Sequence, residues 1–395
     1  MLRELGIRLC ALAALLSPAA RADFAFRDGD RVAFFGDAVT ASRGFTRIVE
    51  HYTLMRFPRR EVTFINAGRG GDTIARSVLR ADHDVFDKGA SVVIVAFGPD
   101  DIALGGNPET WRRDSHLRGI RRIVEKCHEL GVRPFICSPP VAAGDPDSPA
   151  NRRIRALAAE GLELARSLGA GAIDVQQGML EIQSRLAAEP QNRTRLHTDD
   201  GLHLSDLGHL AMAFVILKGL GAPELVSSLE IDAGTATVAA AAHCETTGLS
   251  TDAGGLRFTR LDEGLPFHRD PPAWRRWVPL GEINAYLLKV TGLQPGRYQL
   301  LTGGLLLGEW SDAQLAAGID LSPAGPWEAR SDLVGELVDA RNNLWAAAFL
   351  SMRGGGGDPA LADTLRDLET GIAASQRNAA RPRPIPFDLI RISGP

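Results

Sequence analysis

Between residues 31 and 222 the chain alternates short apolar runs with longer stretches whose apolar residues recur every three or four positions. The runs 31–35 (RVAFF), 62–65 (VTFI), 91–97 (SVVIVAF), 133–137 (RPFIC) and 172–175 (AIDV) have the length and composition of strands. The run SVVIVAF is apolar almost throughout, which predicts a central strand covered on both faces. Between the runs lie helical patterns. Ile120, Ile123, Val124 and Cys127 share a helical stripe that Gly131 ends, residues 152–168 repeat the pattern up to Gly169, and residues 207–220 close the region. Strand alternating with helix predicts an α/β fold, a parallel sheet with helices on both faces.

That architecture predicts where chemistry gathers, because sites in open parallel sheets form at the carboxyl ends of strands. GDAVT (36–40) follows the first strand, GRGGDT (68–73) the second, GPDD (98–101) the third and SPP (138–140) the fourth. The polar and glycine-rich segments therefore share one rim. From residue 223 the pattern changes. Residues 229–238 and 285–301 read as strands, with Pro295–Gly296 as a turn. Helical patterns return at 327–352 and 359–378, and the tail 381–386 is rich in proline and arginine. The expected organisation is a domain at 23–222, a β-rich accessory segment at 223–325, and a helical segment with a tail at 326–395. The accessory parts pack on the first domain or form a lid over it.

Composition narrows the function classes. A net charge of −4 and the lack of a basic stripe with interleaved aromatics point away from nucleic acid and anionic membranes as partners. Residues 1–22 read as a secretory signal peptide: basic Arg3 and Arg8, an apolar run at 10–16, and Ala20–Arg21–Ala22 as cleavage site. The chain is thus expected to be exported, to the periplasm or beyond, with no membrane attachment after cleavage. Removing Cys10 leaves Cys127, Cys137 and Cys244, an odd number that argues against a disulfide framework. No CxxC or HxxxH spacing suggests structural zinc, and no cofactor motif is evident.

The rim motifs resemble those of the SGNH (GDSL) hydrolases, in the order of that family and over roughly residues 30–220. The resemblance implies a three-layer, flavodoxin-like α/β fold. It also implies ester hydrolysis, in which a serine attacks, a histidine takes its proton, an aspartate orients the histidine, and a glycine N–H and an asparagine hold the oxyanion. Residue by residue the transfer is incomplete. Ala38 stands at the nucleophile position of GDS. Asp37 and Thr40 match their counterparts and read as turn residues. Gly71 matches the oxyanion glycine. Asp100 stands where the family carries its oxyanion asparagine, and an ionised carboxylate accepts hydrogen bonds but cannot donate them. Asp200 and His203 match D-x-x-H, with His203 as base and Asp200 as its orienting partner. His209 reads as structural.

Three readings follow. The first is a pseudoenzyme, an SGNH scaffold that binds an acylated carbohydrate or another small ester without hydrolysing it. The second is an active but atypical esterase in which Thr40 or Ser42 attacks, or His203 activates water. The third is a metal- or carbohydrate-binding protein, with Asp37, Asp100, Asp200 and His203 converging on a cation. Trp274, Trp277, Tyr286 and Trp310 offer either a sugar-stacking surface or core packing. Arg43 and Arg69 lie near the rim in sequence and are either anion-binding or solvated.

Overall fold

The computed structural model describes residues 23–98, 101, 110–189, 191, 193–252, 255–268, 272–323, 325–352 and 359–392. The expected signal segment and Asp100 lie outside these residues. Five strands, β1 (Arg31–Gly36), β2 (Thr63–Gly68), β3 (Val92–Ala96), β4 (Arg133–Cys137) and β5 (Gly171–Ile173), form a parallel sheet of order β2-β1-β3-β4-β5. This is the doubly wound flavodoxin-like order, whose switch point falls between β1 and β3. β3 is buried at every position, as its unbroken apolar run requires.

The two faces of the sheet follow the period of two along each strand. Val32, Phe34, Val92 and Ile94 face one core, packed with Phe45, Val49 and Tyr52 of helix α2 (Gly44–Arg56). Ala33, Phe35, Val93 and Val95 face the other, packed with Ile120, Ile123, Val124 and Cys127 of a helix at Thr110–Glu129. Both buried thiols, Cys127 and Cys137, are pushed up to about 12 by burial and sit as small apolar groups. A helix at Asp206–Gly219 closes the domain, its Ser205 side chain accepting from the N–H of Gly208.

The C-terminal region is built on two further sheets. Strands β6 (Leu225–Asp232), β7 (Thr237–Ala242), β10 (Ala285–Thr291) and β13 (Ile319–Asp320) form one, in the order β13-β10-β6-β7. Strands β8 (Cys244–Asp252), β9 (Gly255–Asp262), β11 (Arg297–Thr302), β12 (Leu305–Ser311) and β14 (Ile385–Ile392) form the other, in the order β12-β11-β14-β9-β8. Leu229 and Leu288 from the first sheet share a core with Phe258, Leu300 and Leu389 from the second. Two features differ from the sequence reading. The strands on either side of the Pro295–Gly296 bend fall in different sheets, β10 pairing with β6 and β13 while β11 pairs with β12 and β14. The proline-rich tail leads into β14, an interior strand of the second sheet.

The long helices Glu328–Met352 and Pro359–Ala380 return to the first domain across α2. Arg341 donates to both carboxylate oxygens of Glu50, at 3.0 and 2.7 Å, and also to Glu369 and to the carbonyl of Phe64 on β2. Asn342 and Gln376 complete the shell around Glu50. The aromatics raised as a sugar surface are instead packed away: Trp277 and Tyr286 are buried, and Trp274 and Trp310 pack against the two cores. Among the described residues no helix is long and apolar enough to cross a membrane.

Candidate functional site

β1 ends at Gly36, where a Cβ would fall 2.1 Å from Thr40 Oγ1, so only glycine lets the chain turn directly into the short helix α1 (Ala38–Ala41). Asp37 caps that helix. Its carboxylate accepts from the N–H of Val39 at 3.0 Å and from the N–H of Gly98, past the end of β3, at 3.1 Å. Asp37 thus straddles the switch point of the sheet, and its 1 % exposure fits a structural carboxylate. Ala38 is the first residue of α1, half-buried at the rim.

The second rim segment is braced by side chains the sequence reading did not single out. Asn66 donates to the carbonyl of Thr40 at 2.7 Å and to Thr46 at 3.2 Å, tying β2 to α1 and α2. Arg80 lies over the Phe35 ring and donates to Asp72, Asp84 and the carbonyls of Ala67 and Gly36, so one guanidinium holds the ends of β1 and β2. Asn66 lies two residues before the GRGGDT segment; Arg80 carried no local signal. Gly71 has φ +69° and open space where a Cβ would stand. The left-handed backbone conformation favours glycine there. Buried Asp101 accepts from the N–H of Ile74 and lies 3.1 Å from His116 Nδ1, fixing the third rim segment.

The fourth piece is the loop before the closing helix. His203 Nδ1 lies 2.6 Å from Asp200 Oδ2. The other oxygen of Asp200 accepts from Thr198 Oγ1 at 2.6 Å and from the N–H groups of Leu202 and His203 at 2.8 and 3.0 Å. The Thr198 hydroxyl first, then the His203 ring and these N–H groups, hold the Asp200 carboxyl well below the usual carboxylate range. An ionised partner at Nδ1 leaves Nε2 of His203 as the ring nitrogen available to a ligand. The pair is solvent-facing, with side-chain exposures of 66 % for His203 and 45 % for Asp200. Val39 of α1 and Leu202 of this loop line one crevice with Val141 and His197, so the α1 turn and the histidine loop are neighbours on the rim.

The hydroxyls nearest Ala38 in sequence are engaged elsewhere. Thr40 is fully buried, with its hydroxyl toward the carbonyl of Ala96. Ser42 donates to the carbonyl of Val39 at 2.7 Å, and its oxygen lies 3.4 Å from His209 Nε2. Burial pushes the His209 ring down to about 4, which makes it a weak base at neutral pH. Among the described residues no group of three or more His, Cys, Asp or Glu side chains is placed to hold a metal ion.

Residues 33–211 match the model of the GDSL-like lipase/acylhydrolase family. Among solved structures, a gut microbial diltiazem-metabolizing enzyme superposes with a TM-score of 0.81 at 22 % identity, over 93 % of this chain and 98 % of its own. That likeness extends the shared fold through the C-terminal sheets and helices. An acetylxylan esterase from Geobacillus stearothermophilus covers 50 % of this chain and 96 % of its own, at 19 % identity and a TM-score of 0.44. No curated protein sequence matches the chain. Residues 33–211, with their flavodoxin-like sheet, form a GDSL-like domain of the SGNH (GDSL) hydrolase family.

Proposed function

We propose that this protein is an SGNH scaffold that binds an ester-bearing ligand and has given up serine-dependent hydrolysis. The observation that carries the reading is Ala38 as the first residue of α1, at the switch point, beside a loop that still orients His203 through Asp200. A methyl group has no lone pair with which to attack a carbonyl. Neither nearby hydroxyl replaces it: Thr40 is buried, and Ser42 lies against a histidine too weakly basic to activate it. Asp100 at the position of the oxyanion asparagine adds a second loss, since removing one such donor costs about 2.7–4 kcal/mol of transition-state stabilisation.

In this reading the Gly71 N–H and the first N–H groups of α1 are hydrogen-bond donors for a ligand carbonyl, and His203 is a polar contact instead of a base. The ligand is an acylated carbohydrate or another small ester, met after export. The test is an esterase assay with p-nitrophenyl acetate. Wild type is expected to match background, and Ala38→Ser combined with Asp100→Asn to gain on the order of 10²-fold. Robust wild-type turnover that vanishes in His203→Ala would overturn the reading in favour of water activated by the Asp200–His203 pair.

A further inference from the structure

A groove of about 1190 Å³ runs along β2, the edge strand of the parallel sheet, and is roofed by the two C-terminal helices. One end opens on the rim, where Arg43, Asn66, Gly68, Arg69 and Gly70 line it. Arg43 is the unusual member. It directly precedes α2 with φ 65° and ψ 4°, the left-handed region that few residues other than glycine and asparagine occupy. Its side chain makes no cap to the helix. Its guanidinium is half-buried, and Nε is enclosed without a hydrogen-bond partner.

No carboxylate pairs with Arg43 among the described residues. Three of the four acids along the groove are committed: Glu50 and Glu369 to Arg341, and Asp84 to Arg80. Its charged neighbour is another cation, Arg47, itself tied to Asp339. Burial and that repulsion both act against the charge on Arg43. A partly desolvated cation without a counter-ion is costly in a folded protein, and an anion from outside would relieve the cost. Arg69, half exposed, lines the same groove and donates to Asp84 at 3.5 Å, a carboxylate it shares with Arg80.

We infer that the mouth of this groove is an anion subsite, and that the ligand of the rim is an ester carrying a fixed carboxylate or phosphate held by Arg43, with Arg69 as second cation. The inference rests on reading the rim as a ligand site. It assigns the chemical class of the ligand and is independent of whether the ester is cleaved.

The test is calorimetric titration of the full chain at low salt with monomethyl glutarate, methyl phosphate and neutral dimethyl glutarate, alongside thermal melting. At least one anionic probe is expected to bind, the carboxylate and phosphate arms showing which anion is preferred, and the neutral diester is expected not to bind. Arg43→Asn keeps a residue suited both to the left-handed region and to a helix cap. It is expected to weaken the anionic probe roughly tenfold or more while leaving Tm equal or higher. Binding of neither anion, equal binding of the neutral diester, unchanged affinity in Arg43→Asn, or a lowered Tm in that variant would each overturn the inference. Binding is read without turnover, so a hydrolytically active wild type would refute the pseudoenzyme reading and leave this one standing.

Discussion

Ala38 presents a methyl group at the end of β1, where the proposed reading places a lost nucleophile, and the residues around it form a scaffold that does not depend on that position. Asp37 still caps α1 and reaches across to Gly98, while Asn66 and Arg80 still fasten the ends of β1 and β2. These roles are structural, so they persist whether or not a serine is present. His209 carries a prediction at this scale. Its ring packs where a Cβ on Gly44 would stand, its Nδ1 is buried without a partner, and burial pushes it down to about 4 from an ordinary value near 6.5. The unfolded chain therefore takes up a proton at this site before the folded chain does. Its stabilising contribution is complete above about pH 6.5 and is lost as pH falls toward 4, amounting to about 3 kcal/mol. Urea denaturation of wild type and His209→Gln across that range should show a shallower pH slope in the variant; equal slopes would refute the assignment.

At the scale of elements, the C-terminal helices are held to the first domain by charge as well as apolar contact. Glu50 on α2 and Arg341 are both buried, and Asn342 and Gln376 satisfy the remaining oxygen positions of Glu50. Replacing Arg341 by Met strands a buried carboxylate and is expected to destabilise by about 3–5 kcal/mol, whereas Arg341→Met with Glu50→Leu recovers much of the loss. Chemical denaturation of the two variants checks this. The helical patterns at 327–352 and 359–378 were legible, and the structure places helices at Glu328–Met352 and Pro359–Ala380. Their docking was not, because Glu50 and Arg341 lie far apart in sequence and neither carries a pattern that names the other.

Across the whole molecule, the C-terminal region closes on itself late in the chain. β14 lies between β11 and β9 and buries Phe387 and Leu389 against Phe258 and Leu300. Ending the chain after Ala380 would remove an interior strand and expose two unpaired edges. The truncated protein is expected to lose soluble yield and to become protease-sensitive throughout residues 225–320, read by limited digestion with mass spectrometry. A truncated chain as resistant as the full one would show that β14 is dispensable to the sheet.

Hydrophobic period and glycine placement were enough to define the parallel sheet, its helices and the rim, because those are local patterns imposed by backbone geometry and two-sided burial. The GDAVT segment with Ala38 and the D-x-x-H segment were equally local. The tertiary structure decided what depends on packing between distant segments. It separated β10 from β11 into different sheets, inserted the proline-rich tail as an interior strand, buried Trp277 and Tyr286, and enclosed Thr40 while setting Ser42 against a weakly basic His209. It also left Arg43 half-buried at the mouth of a groove, with no carboxylate paired to it among the described residues. Charge, burial and partnership are properties of neighbours in space, and a linear pattern carries no record of neighbours so far apart along the chain.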